Sequence, residues 1–202
     1  MAKRKILRWL YFVATLPYFI ISKIAYLFNW FDTKRDVENC ARIIEESKST
    51  NLSKHLITVL KIAEDHRNDL HFGIDHYALL RATYHTLMGE IQGASTIEQQ
   101  FVRVVTNKYQ RTIKRKFQEQ LLAVLISSRF EKDELASAYL CAAFFGRNKL
   151  GVSGIRNMVH GDIELLEAKE AISIVSRLKY PEPSCMTEHW LEKHRNRNDY
   201  IF

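Results

Sequence analysis

The stretch Glu64 to Gln100, EDHRNDLHFGIDHYALLRATYHTLMGEIQGASTIEQQ, places two unlike clusters at the ends of one segment. The first, Glu64 to Asp75, packs four acids (Glu64, Asp65, Asp69 and Asp75) and two histidines (His66 and His71) around Gly73. The second, Gly93 to Gln100, is rich in uncharged hydrogen-bonding groups and holds one charge, Glu98. Between them Tyr77, Leu80, Tyr84, Leu87 and Met88 recur mostly at three- and four-residue steps, which predicts a helix. A helix of that length returns the chain, so an acidic loop and a small polar loop can line one cleft. A carboxylate base and a substrate cradle meet there, with Ser95, Thr96, Gln99 and Gln100 supplying the cradle.

Helical spacing continues on both sides. His55 to Ala63 repeats Leu56, Val59, Leu60 and Ala63 and delivers Glu64 at a helix end. Downstream, Arg103 to Lys116 is the most basic stretch after the N-terminus, and it runs through Glu119 into the apolar helix Leu121 to Ile126. Strand-like alternation is scarce, so the expected fold is mainly α. Residues 32–53 are mostly polar, with Val37, Ile43, Ile44 and Leu52 as anchors, and read as a short helix and connector. Trp190 to Phe202 is charged and polar and reads as a frayed tail.

A chain of 202 residues has room for one domain with a real core. Lysine and arginine exceed aspartate and glutamate by 30 − 23 = 7, which points to an anionic partner such as membrane lipid, nucleic acid or a phosphorylated substrate. Three cysteines exclude a disulfide framework. Lys3, Arg4, Lys5 and Arg8 precede Trp9–Phe31, a stretch dense in aromatic and aliphatic residues. As a helix it reaches roughly 34 Å, enough for a bilayer core of about 30 Å. Lys23 interrupts its apolar character and Pro17 would kink it, so an interfacial helix with Lys23 snorkelling is the other placement. No small-residue cleavage site follows the apolar run, which argues against a signal peptide. A spanning helix with a basic N-terminus predicts that end inside the cell and the domain outside. The expected division is 1–31 anchor, 32–53 connector and 54–202 catalytic domain.

Glu64, Asp65, His71, Gly73 and Asp75 fall in register with E-D-x-x-F-x-x-H-x-G-x-D, and Gly93, Ser95, Thr96, Ile97, Gln99 and Gln100 with G-G-S-T-I-T-Q-Q. Arg115, Lys116 and Glu119 match R-K-x-x-E, and Lys132, Glu134, Tyr139 and Leu140 match K-x-E-I-L-x-x-Y-L-N. On these motifs the chain resembles the peptidoglycan glycosyltransferases of family 51, the transglycosylase domain of penicillin-binding proteins and their monofunctional relatives. The resemblance covers roughly residues 50 to 183 and departs at Asn68, Ala94, Glu98 and Cys141. It implies a lysozyme-like helical domain with a cleft towards the membrane. The implied reaction is inverting polymerisation of lipid II into β-1,4 glycan strands. Glu64 would be the general base, and Glu119 would assist at the donor pyrophosphate, through a divalent metal such as magnesium or manganese. Asp65, His71, Ser95, Thr96, Gln99, Gln100, Arg103, Arg115 and Lys116 become the expected substrate-binding set. Lipid II, the growing strand, membrane lipid and cell-wall synthesis proteins are the expected partners, and no transpeptidase segment is expected. The residues support the same roles. A pyrophosphate leaving group calls for cations, which Arg103, Arg115 and Lys116 provide, and the acceptor hydroxyl calls for a base.

The same residues admit other readings. His66, His71 and His76 sit five apart, which does not stack zinc ligands on one helical face. Ser95 lacks a G-x-S-x-G elbow and reads as a hydrogen-bonder or cap. The basic run could face nucleic acid, but an anchor removes the domain from the cytoplasm, so no nucleic acid is expected. A diverged, inactive module binding glycan or synthesis partners is the alternative, with Glu98 placing a negative charge near the pyrophosphate.

Overall fold

Residues 2–159 and 161–201 are described by the computed structural model. They form ten α-helices: α1 (Ala2–Leu27), α2 (Thr33–Ser47), α3 (Lys54–Glu64), α4 (His76–Leu87), α5 (Ile97–Thr106), α6 (Ile113–Ser127), α7 (Lys132–Ala142), α8 (Gly151–Arg156), α9 (Ala168–Lys179) and α10 (Glu188–Ile201). Among the described residues the one sheet is an antiparallel pair, β1 (Phe144–Gly146) with β2 (Lys149–Leu150). The mainly-α expectation holds.

Local chemistry sets where the helices begin. Asp75 caps α4 by accepting from Ala78 N at 2.9 Å, Thr96 caps α5 through Gln99 N at 3.3 Å, and Thr112 caps α6 through Arg115 N at 3.2 Å. Such a cap stabilises a helix end by about 1 kcal/mol. Two residues of the sequence motifs, Asp75 and Thr96, therefore also punctuate the fold.

The centre is α6. Every residue from Glu119 to Ile126 is buried, as befits a helix apolar on all sides that packs between neighbours. Helix α5 contributes Ile97, Phe101 and Val102 to the same core, and α7 contributes Leu135, Ala136, Tyr139 and Leu140. The stretch read as a connector carries α2, whose Val37, Cys40 and Ile44 join this core. Gly73 explains how the acidic loop reaches α6: its φ is +87°, and a Cβ there would lie 2.5 Å from the Ala123 carbonyl oxygen.

The tail expectation is corrected. Residues 188–201 form α10, fastened by polar groups rather than by an apolar stripe. Trp190 donates its indole N–H to the Tyr180 and Pro181 carbonyls at 3.2 and 3.1 Å and stacks on His194, with ring centroids 4.9 Å apart.

Helix α1 is continuous through Pro17 and lies along the body. Its buried positions are Tyr11, Thr15, Ser22 and Ala25, while Ile6, Trp9, Leu10, Phe12 and Ile20 are exposed. Tyr11 donates to Asp75 at 2.8 Å, Thr15 meets His76 Nε2 at 3.0 Å, and Arg4 pairs with Asp69 at 3.0 Å. This polarity is the reverse of a water-soluble helix. Helix α4 shares it: the Tyr77, Leu80, Tyr84 and Leu87 that define its period are exposed.

Candidate active site

Helix α5 connects two carboxylates that the sequence separates widely. From one turn, Gln100 donates its side-chain N–H to Glu64 Oε2 at 3.3 Å. From the next, Arg103 forms a two-pronged pair with Glu119, Nε to Oε2 at 3.0 Å and Nη2 to Oε1 at 2.9 Å. Glu64 and Ser95 line the same cleft, with Arg81, Gly93 and Ala94. Ser95 Oγ in turn accepts from Arg103 Nη2 and from Lys116 Nζ, each at 3.0 Å. The base candidate, the polar loop and the cation cluster thus form one continuous wall.

Glu119 is 3% exposed and stands at the centre of that cluster. Lys116 donates to its Oε1 at 2.8 Å, and Arg115 Nη1 bonds its Oε2. Burial pushes the Glu119 pKa upward, but Arg103 and Lys116 outweigh it and hold the carboxyl below its ordinary range. Burial lowers the Lys116 pKa, with Glu119 opposing it.

The donor set at Glu119 does not fit a divalent metal. Both carboxylate oxygens are taken by three cationic side chains, and a dication there would meet three like charges. Among the described residues, Asp65, His71 and Glu98 are the group with metal-ligand spacing, and there the Lys132 ammonium already sits 2.5 Å from Glu98.

The other expected residues divide. Ser95, Gln100, Arg103, Arg115 and Lys116 are half-buried along the cleft side. Asp65, His71, Thr96 and Gln99 are buried and engaged within the body. Asp65 accepts from Ile97 N at 3.1 Å and from His71 Nε2 at 2.9 Å, fastening the acidic loop to the start of α5. Thr96 and Gln99 both donate to the Gly73 carbonyl, at 2.9 and 3.1 Å. Glu98 is fully buried, facing Asn68 and Lys132 rather than lying open near a pyrophosphate. Burial works against its ionised form, but Lys132 outweighs it and the pKa falls well below the usual carboxylate range.

Two contributors stand outside the expected site residues. Arg197 of α10 donates to Glu64 Oε1 at 2.9 Å and to the Ala63 carbonyl at 2.8 Å. Tyr139 O–H donates to Gln100 Oε1 at 2.8 Å, fixing the amide so that its N–H faces Glu64. The motif match contained Tyr139. Nothing in the charged C-terminal run singled out Arg197.

The Transglycosylase family model matches residues 37–202. The chain belongs to the transglycosylase family. This is a glycosyltransferase family of peptidoglycan and cell-wall biosynthesis, and the mainly helical domain is its lysozyme-like fold. The chain is 31% identical over 154 residues to penicillin-binding protein 1A of Rickettsia conorii, covering 72% of this chain and 19% of that protein. It is 32% identical over 112 residues to penicillin-binding protein 1A of Aquifex aeolicus, covering 54% and 15%. Penicillin-binding protein 1F of Bacillus subtilis is 30% identical over 144 residues, covering 68% and 20%. The chain thus spans a fifth or less of the length of these relatives. The match begins inside α2.

Proposed function

We propose that this transglycosylase polymerises lipid II into β-1,4 glycan strands and releases undecaprenyl pyrophosphate. The observation that carries the reading is α5, which holds Glu64 through Gln100 and Glu119 through Arg103 beside one cleft. Glu64 takes the proton of the acceptor hydroxyl while that oxygen attacks C1 of the donor sugar. The bond from C1 to the pyrophosphate oxygen breaks on the opposite face, which inverts the anomeric carbon. The bonding pair leaves on the pyrophosphate, whose charge meets Arg103, Arg115 and Lys116. Glu119 keeps these three cations together, and Arg197 and Gln100 hold the base from two sides. Asp65, His71, Thr96 and Gln99 serve by fixing the two loops.

Membrane attachment runs through α1, whose lipid-compatible outer face and basic N-terminus support it. A span of the cytoplasmic membrane with the domain outside requires α1 to leave the body. The contacts to Asp69, Asp75 and His76 favour a second placement, with α1 lying in the membrane surface beside the domain. Growing glycan, membrane lipid and cell-wall synthesis proteins are the proposed partners.

The test is polymerisation of fluorescent lipid II by the purified full chain, resolved by gel. Glu64→Gln keeps the shape of the side chain and removes the base, so turnover falls about a hundred- to ten-thousandfold while lipid II still binds. Polymerisation by Glu64→Gln at the parent rate refutes the base. Binding without any turnover by the parent makes the chain an inactive glycan-binding module.

A further inference from the structure

The cations around Glu119 differ in how many hydrogens they leave unspent. An ammonium carries three N–H groups and no acceptor. All three of Lys116 are used inside the protein, on Ser95 Oγ at 3.0 Å, Gln99 Oε1 at 2.6 Å and Glu119 Oε1 at 2.8 Å. These acceptors come from the polar loop, from α5 and from α6 itself. A guanidinium carries five N–H groups, and the two arginines keep some back. Arg103 spends Nε and Nη2 on Glu119 and Ser95. Arg115 spends Nε and Nη1 on the Gln110 carbonyl and Glu119. Arg103 Nη1 and Arg115 Nη2 have no protein partner among the described residues, and neither atom is enclosed. The two guanidinium groups share Glu119 Oε2 and so sit side by side, bordering one hollow with Thr106 and Gln118. Lys116 lines neither that hollow nor the cleft of Glu64 and Ser95.

Ser95 shows what the lysine does instead. A hydroxyl accepts through two lone pairs and donates one hydrogen. Arg103 Nη2 and Lys116 Nζ fill the accepting positions of Ser95 Oγ, and the Ser95 O–H meets no acceptor among the described residues. Two cationic donors therefore turn that hydrogen away from the cluster, on a half-buried side chain that lines the cleft. We propose that Lys116 is a positioning residue and not a pyrophosphate ligand: it holds Ser95 so that the hydroxyl donates to a pyrophosphate oxygen. The ligand meets that O–H and the free N–H groups of Arg103 and Arg115, while the Lys116 charge stands behind them. The assignment rests on the lipid II reading and divides its leaving-group contacts among named hydrogens.

Equilibrium binding of undecaprenyl pyrophosphate to the purified full chain in neutral detergent tests this, with thermal melts to check that each variant folds. Arg115→Gln removes a direct contact and should weaken binding about ten- to a hundredfold, equally in the parent and in a Ser95→Ala background. Lys116→Arg keeps the charge but replaces the tetrahedral ammonium by a planar fork. It should lose about tenfold in the parent and almost nothing once Ser95 is alanine, because the hydroxyl that it directs is gone. Lys116→Gln carries the same comparison should the arginine not fit, and its loss should be at least about fivefold smaller in the Ser95→Ala background. Parent-like binding by Lys116→Arg, or equal losses from Lys116→Gln in the two backgrounds, puts the ammonium on the ligand and overturns the proposal. No binding by the parent overturns the lipid II reading with it, whereas binding with uncoupled losses overturns this assignment alone.

Discussion

Replacing Glu119 by glutamine tests the architecture of the cation cluster directly. The amide keeps the shape of the side chain and removes the charge that Arg103, Arg115 and Lys116 share. Those cations are 27%, 15% and 29% exposed in their side chains, against 3% for Glu119. Removing one partner of a fully buried pair costs about 3–5 kcal/mol. Water reaching the partly exposed cations offsets some of that, so a loss of about 2–3 kcal/mol is expected here. For a domain of this size it corresponds to about 4–12 °C in melting temperature. Its pH dependence has a definite sign. The folded pKa of Glu119 is depressed, so its contribution is fully present above the unfolded carboxylate pKa and is lost as pH falls through the folded value. The melting difference between parent and variant should therefore be steady around neutral pH and shrink below about pH 4.3. Thermal unfolding of both detergent-solubilised proteins across that range measures it. A difference below about 1 °C at neutral pH, well short of the expected shift, refutes the reasoning. So does a difference that persists undiminished in acid.

Three further outcomes are expected, two from the geometry and one from the basic N-terminus. Arg115→Ala removes one charge-assisted phosphate contact and should lower turnover or affinity for lipid II by about ten- to a hundredfold; unchanged kinetics would mean that this cluster does not meet the pyrophosphate. Gly73→Ala forces a side chain into positive φ and against the Ala123 carbonyl, so the loop must move, with an expected loss of at least about 1–3 kcal/mol; a melt equal to the parent's would contradict the close approach. Protease added outside spheroplasts should digest residues 54–202; their full protection would place the domain in the cytoplasm and end the extracytoplasmic assignment.

The sequence made the fold legible where burial is carried by periodic apolar side chains. Leu56, Val59 and Leu60 announced α3, and Leu121 to Ile126 announced α6, because both helices gain their stability from apolar packing. Helix α10 was hidden for the opposite reason. Its attachments are an indole N–H, a stacked histidine and Arg197, and polar contacts leave no apolar period to read. Helix α4 was legible as a helix, but its apolar face points outward, since a period shows that one face differs and not which neighbour covers it. At the site, the Arg115 to Glu119 spacing gave one pair of the cluster directly. Arg103 and Ser95 completed it only through the packing of α5 on α6, a relation between elements that no local spacing encodes.

Two of the four departures from the motifs, Asn68 and Glu98, have one physical account. Taken separately, each puts a polar or charged group where the motifs carry phenylalanine and threonine. In the fold they touch: Asn68 Nδ2 lies 3.4 Å from Glu98 Oε1 and 3.3 Å from Asp65. Lys132 neutralises the new carboxylate from the far side, at 2.5 Å. The negative charge is therefore spent inside the body, on groups that fix the acidic loop to α5 and α7. Lys132 pairs with that charge on the side of α7, while Arg103, Arg115 and Lys116 gather on Glu119. The exchange has a cost, since Glu98 Oε2 and Asn68 Oδ1 are enclosed with no partner among the described residues, and each such atom is worth about 1–3 kcal/mol. That cost falls on stability, while the cation cluster keeps Ser95, Gln99 and Glu119 as its own partners.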